Sequence, residues 1–251
     1  MEKSIVSIAR GFDADIMVHE AVENLGGIGA FVRKGSTVVI KPNAGHEGAP
    51  DSSVNTSPEV VKAVILEVKK ASPGKIILAE SSAIGRDTMA CLEVSGIKKA
   101  AEEAGIDGII DIKKDKDLVE KKIQNPTSSI KKVMLPRFLL EADHMINVPI
   151  FKSHVSMVFS CALKNLKGVV QDVHHYVMHT TSLSAAMMDL GDVFRPDLTI
   201  ADLIRPMEGF GPHSGTPCDF GAVLAGGDMV ALDATACRLV GLDLDRVDYF
   251  R

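Results

Sequence analysis

A chain of 251 residues with 46% hydrophobic and 24% charged residues can bury the core of one large domain or two packed lobes. Its net charge of −5 argues against a general nucleic-acid binder, and no apolar run reaches the roughly 18 residues that span a membrane. The opening MEKSIVSIARGFD has no long apolar signal core, which points to a cytoplasmic protein.

In chain order, KSIVSIAR reads as a strand and IMVHEAVENLGGIGAFV as a helix closed by glycines. GSTVVIKPNAG is a buried strand that runs into a loop. Val60, Val61, Val64, Ile65 and Val68 fall at helical spacing, with Thr56 or Ser57 as cap and Pro58 in the first turn. KIILAE is the next strand, followed by a helix over Thr88 to Gly105. The charged segment Lys113 to Ser129 is the candidate surface excursion or lobe junction, ahead of KKVMLP and DHMINVPI. The last third reads as a helix (Ser182 to Gly191), a strand (Leu198 to Ile204), a glycine-rich loop, a strand (Phe220 to Ala225) and a helix (Met229 to Val240). Strands separated by helices predict an α/β fold with a mostly parallel sheet flanked by helices, as one domain over 1–251 or two closely packed lobes with a cleft. The chain stops on LDLDRVDYFR soon after a helix, so further residues are expected to close the native domain.

Between Asn147 and His179 the chain concentrates three lysines and four histidines. Val155, Val158, Phe159, Ala162, Leu163, Leu166 and Val169 make the apolar stripe of an amphipathic helix, ended near Gly168. The opposite stripe is Ser156, Ser160, Lys164 and Lys167, small hydroxyls first and lysines later, which suits a pocket wall better than a solvated face. FKSH follows the apolar run MINVPI, so Lys152 and His154 stand at a strand end, where open α/β sheets bind ligands. Lys152, Lys164 and Lys167 can converge on a carboxylate or phosphate. The plain alternative is lysines lying over apolar surface.

His175 and His179, four residues apart, share one helix face and are a candidate pair for a divalent metal. The glutamate of an HExxH metalloprotease is missing, so peptidase chemistry is excluded. The loop after VVIKPN offers Lys41, Asn43 and His46. The loop after KIILAE offers Glu80, Ser81, Ser82 and Arg86. TIADLIRPMEGFGPHSG brings Asp202, Arg205, Glu208 and His213 among glycines, without a dinucleotide fingerprint, a phosphate loop or a GxSxG elbow. Asp233, on the last helix, can cap or orient a neighbour. Cys91, Cys161, Cys218 and Cys237 are scattered, with no CxxC pair and no iron–sulfur cluster expected.

The segments VVIKPN, NTSPEVVKAVILEVKK, INVPIFKSHVSMVFSCALKNLKGVV, DLTIADLIRPMEGFGP and VLAGGDMVALDATACRLVGL together resemble the family called domain of unknown function 362. Some relatives carry added ferredoxin-type cysteines. This chain does not, so no electron-transfer role follows. A more distant similarity joins His154 and Lys164, ten residues apart, and the Thr56–Pro58 turn to the nickel-pincer lactate racemase family, whose corresponding lysine holds the cofactor. FSCALK replaces that family's glycine-rich segment, and SSAIGR stands where it has a histidine. What carries over is an expected site at His154 and Lys164.

The reading that emerges is an enzyme or enzyme-like protein acting on a small anionic molecule. Lys41, Asn43, Lys152, Asn165, Lys167 and Glu208 are the expected substrate-binding groups. His154, Lys164, His175 and Asp202 are the expected catalytic groups, the histidines moving protons near neutral pH. The alternative is a non-catalytic metal or metabolite binding module. Neither nucleic acid nor membrane is an expected partner.

Overall fold

The computed structural model describes residues 4–180 and 182–250. Strand β1 (Ser7–Arg10) leads to helix α1 (Ala14–Glu23), whose cap is Asp13, accepting from the Ile16 amide. The expected helix stops there, because Gly26 and Gly27 take positive φ and a short 3-10 turn follows at Ile28–Ala30. β2 (Thr37–Pro42) precedes α2 (Pro58–Lys70), whose cap is Ser57 with Pro58 at the first position. β3 (Lys75–Glu80) follows. The helix expected over Thr88 to Gly105 is two, α3 (Thr88–Val94) and α4 (Ile97–Glu103), broken at the left-handed Gly96. β4 (Gly108–Asp111) then leads into a small antiparallel ribbon, β5 (Leu118–Lys122) and β6 (Lys132–Pro136), which takes up most of the charged segment.

After α5 (Arg137–Glu141) come β7 (His144–Val148), β8 (Ile150–His154) and β9 (Val158–Ser160). The helix expected from Val155 is therefore corrected: β8 and β9 form an antiparallel hairpin, with His154 opposite Val158. Helical backbone begins only at α6 (Ala162–Asn165) and continues as a 3-10 turn, Leu166–Val169. Then follow α7 (Asp172–Thr180), α8 (Leu183–Val193), β10 (Leu198–Glu208), β11 (Thr216–Pro217), β12 (Ala222–Gly226) and α9 (Met229–Leu239).

The main sheet runs β1-β12-β10-β7-β2-β3-β4. From β10 to β4 every pairing is parallel, whereas β12 and β1 add antiparallel strands at one edge. The apolar runs of the inner strands follow from burial on both faces. Val38, Ile40, Ile76 and Leu78 point into a core with α1, α2 and α4, while Val39, Ile77 and Ala79 point into the core with α6, α8 and α9. Among the described residues no helix is long and apolar enough to cross a membrane.

Candidate functional site

At the carboxyl ends of the parallel strands the chain leaves a polar cavity of about 70 Å³ for the centres of water-sized molecules. β2 delivers Lys41, β3 delivers Glu80, β8 delivers Lys152 and His154, and the turn after α6 delivers Lys167. Ser81, Ser160, Lys164, Asn165 and His175 complete much of the wall. A water centre needs roughly 10–15 Å³, so the space suits a few waters or one small organic acid.

The floor is a buried ion pair. Lys41 Nζ lies 3.0 Å from Glu80 Oε1 and also donates to the Pro42 carbonyl at 3.0 Å and to Asn165 Oδ1 at 3.3 Å. Glu80 is further fixed by the Ala44 amide (3.0 Å) and the Ser81 amide (2.8 Å). Burial pushes the Lys41 pKa down and the Glu80 pKa up, each opposed by its partner. With the Lys41 ammonium and two backbone amides held on one carboxylate, the geometry favours the ionised pair. Gly168 closes over it: a Cβ there would meet Glu80 Oε1 at 1.9 Å, so no larger residue fits.

The other lysines lack a carboxylate. Lys152 Nζ donates to Asn43 Oδ1 (2.8 Å) and to the Val54 carbonyl (2.5 Å). Lys167 Nζ is 2.7 Å from His179 Nε2, so one proton lies between the two nitrogens. Among the described residues Lys164 Nζ has neither a hydrogen bond nor an ion pair, and the buried Ser81 Oγ has no partner. Burial lowers all three lysines, Lys152 and Lys167 to about 7 with help from the Lys164 charge, and Lys164 to about 8 with help from Lys41. In the cavity wall these amines, rather than His154 or His175, are the groups that titrate near neutrality.

His154 Nδ1 accepts the Ser156 amide at 3.1 Å, which leaves the proton of the neutral ring on Nε2. Burial and the nearby Lys164 hold its pKa down at about 3. His154 is thus a neutral hydrogen-bond donor at physiological pH. His175 Nε2 donates to the Lys167 carbonyl at 2.7 Å, while its Nδ1 is unpartnered and 3.7 Å from Asp172 Oδ1. His175 and His179 do sit on one side of α7, but both Nε2 atoms are engaged and three lysines surround them. That donor set does not fit a divalent or nickel ion. Three side chains close enough to share a metal among the described residues are His19, Glu23 and Glu67, where Lys70 Nζ already lies 2.7 Å from Glu67.

The cavity therefore gathers Lys41, Asn43, Lys152, His154, Lys164, Asn165, Lys167 and His175. It does not gather Asp202 or Glu208. Asp202 accepts from the Ser57 amide (2.9 Å) and the Ile204 amide (3.0 Å), anchoring the start of α2. Glu208, exposed at the end of β10, borders a separate apolar groove with Phe151 and Phe220. The loop glycines serve close backbone packing: a Cβ on Gly211 would meet the Ser153 carbonyl at 2.0 Å. The sequence marks Glu80 and Ser81 only as a polar strand end and Gly168 only as a helix stop, although all three line the cavity. Their common position after a parallel strand or beside a lysine was the available signal.

Against known proteins, the chain is 30% identical over 228 residues to the thylakoid-associated protein sll1697 of Synechocystis sp., covering 88% of this chain and 68% of that one. In three dimensions it matches the lactate racemase apoprotein of Thermoanaerobacterium thermosaccharolyticum with a TM-score of 0.58 over 93% of this chain. The identity there is 14%, and this chain spans 56% of the racemase chain, so the likeness is one of fold. The pattern of the family described as "Domain of unknown function (DUF362)" matches residues 38–238, which takes in the strands and turns that build the cavity, and the chain belongs to that family.

Proposed function

We propose that the protein binds a small organic anion in this cavity and transforms it by proton exchange with the pocket amines. The observation that carries this reading is the set of donors with no protein acceptor around one small space: the buried Ser81 hydroxyl, the half-buried Lys164 Nζ and the Nε2–H of His154. Buried polar groups are normally paired. Three donors without an acceptor call for oxygen atoms carrying negative charge, and the desolvated setting strengthens each contact. Lys152 and Lys167, near pH 7 the best-matched acids and bases here, would exchange the proton. His154 would polarise the anion as a neutral donor. The substrate of the racemase, by its name a small hydroxy acid, belongs to the size class that the cavity admits. A cytoplasmic setting is part of this proposal; the cyanobacterial relative's name places that protein at the thylakoid.

Titration calorimetry with acetate, glycolate, lactate and inorganic phosphate tests the reading. We expect saturable binding of at least one carboxylate, weakened about tenfold or more in Lys164→Met or His154→Phe. Heats no different from dilution for all four anions would overturn it. Binding without turnover of any bound acid would favour the non-catalytic module.

A further inference from the structure

We propose that Lys164 is a nucleophile, and that the ligand class of the cavity is a small 2-oxo acid whose carbonyl carbon is joined to Lys164 Nζ as a protonated imine. This rests on the anion-binding reading above and names its substrate class.

The four lysines of the cavity have different attachments. Lys41 is committed to Glu80 at 3.0 Å, and its neighbours hold it from several sides. Lys152 is committed to Asn43 and the Val54 carbonyl, and Lys167 shares a proton with His179. Lys164 alone among these four, as far as the described residues extend, has a terminal nitrogen with no partner. A lysine used for charge alone is best served by a carboxylate within reach. Here the reachable carboxylate, Glu80, is already filled by Lys41 and two backbone amides. A half-buried amine at a cavity wall, crowded by other cations as Lys164 is, is in a setting that frees the nitrogen lone pair for attack on a carbonyl. Burial, then Lys41, accordingly bring Lys164 down to about 8.

Its position is also fixed. Asp233 accepts from the Ala162 amide (2.7 Å) and the Leu163 amide (3.1 Å), so the short helix carrying Lys164 is tied to α9. The space of about 70 Å³ sets the size, since a three-carbon oxo acid occupies about what a few waters do. The remaining donors match its two functional ends: the protonated amines of Lys152 and Lys167 suit the carboxylate, and the Nε2–H of His154 or the Ser81 hydroxyl suits the ketone oxygen.

In the step itself the lone pair of neutral Lys164 forms the C–N bond, and the carbonyl π pair moves to oxygen. The oxygen takes one proton from the nitrogen and one from solvent, then leaves as water, and the iminium keeps the last N–H. One amine, one oxo acid and one proton give one iminium and one water, with no change in oxidation state.

The test is incubation of the wild-type protein with pyruvate or glyoxylate and sodium cyanoborohydride, followed by peptide mapping, beside calorimetry with pyruvate, lactate and acetate. We expect one stoichiometric reduced adduct, located on Lys164 and absent from Lys164→Arg, which keeps the charge. Pyruvate that binds as lactate and acetate do, but leaves no adduct or only scattered surface adducts, would overturn the imine and leave the anion site standing. No binding by any of the acids would overturn both. Mapping on the wild type does not depend on any variant folding.

Discussion

Lys41 and Glu80 leave neighbouring parallel strands and meet where almost none of either side chain is open to bulk water. Such a pair adds little net stability once desolvation is counted, yet breaking one half is expensive, because the other charge stays buried alone. Glu80→Gln is therefore expected to lower unfolding stability by about 3–5 kcal/mol in urea titrations. A Lys41→Met, Glu80→Gln double variant should recover a large part of that loss. If the double variant is no more stable than the sum of the single ones predicts, the pair is not the cause. Gly168 belongs to the same unit, since the space a side chain would need is the space the carboxylate occupies.

Among the elements, the hairpin and the short helix behind it shape the site most directly. Asp233 reaches across from α9 to cap α6 and accepts a hydrogen bond from the Tyr249 hydroxyl at 3.0 Å, which also ties down the turn at Asp248–Phe250. Asp233→Asn keeps the shape but offers one acceptor oxygen where the aspartate has two. We expect it to weaken anion binding several-fold while circular dichroism stays unchanged, as befits a positioning residue. Unchanged affinity would show that α6 holds Lys164 without it. The alternation of strands and helices was legible in the sequence because burial on both faces writes long apolar runs. It concealed the hairpin, because its turn, Val155-Ser156-Met157, has none of the glycine, asparagine or aspartate that announces tight turns. Val155 fitted an apolar helical stripe and is 77% exposed; Val158 fitted it too and adopts a φ of 69°, unusual for a β-branched residue. Even so, Ser160, Lys164 and Lys167 share the cavity wall, since the hairpin and the following turn bring them to one side. Asp202 misled because a lone acid in a strand looks the same whether it meets a ligand or a helix start.

For the whole molecule, the parallel arrangement gathers cationic side chains from residues 41 to 167 at the carboxyl ends of the strands, with little local negative charge to offset them. Folding therefore strips protons from lysines. Lys152 and Lys167 fall from 10.5 to about 7, so between those values the unfolded chain binds more protons than the native one. Stability of the ligand-free protein should rise as pH increases through that window and be lost as pH falls through it. Thermal melts from pH 6.5 to 9.5, a window of about three units, should show the rise in wild type and a shallower one in Lys167→Met. A saturating anion should flatten it by restoring the protons. A melting temperature that falls with pH in the ligand-free wild type would contradict this.

The two nitrogens of Lys167 and His179 hold one proton 2.7 Å apart. An anion bound as proposed would give that pair reason to take a second. The protein would then load the equivalent of a neutral acid, anion and proton together, and its net charge would be the same full as empty. Passage of the ligand in and out would be electrically silent at the scale of the molecule, indifferent to the repulsion an acidic protein exerts on anions once they are inside.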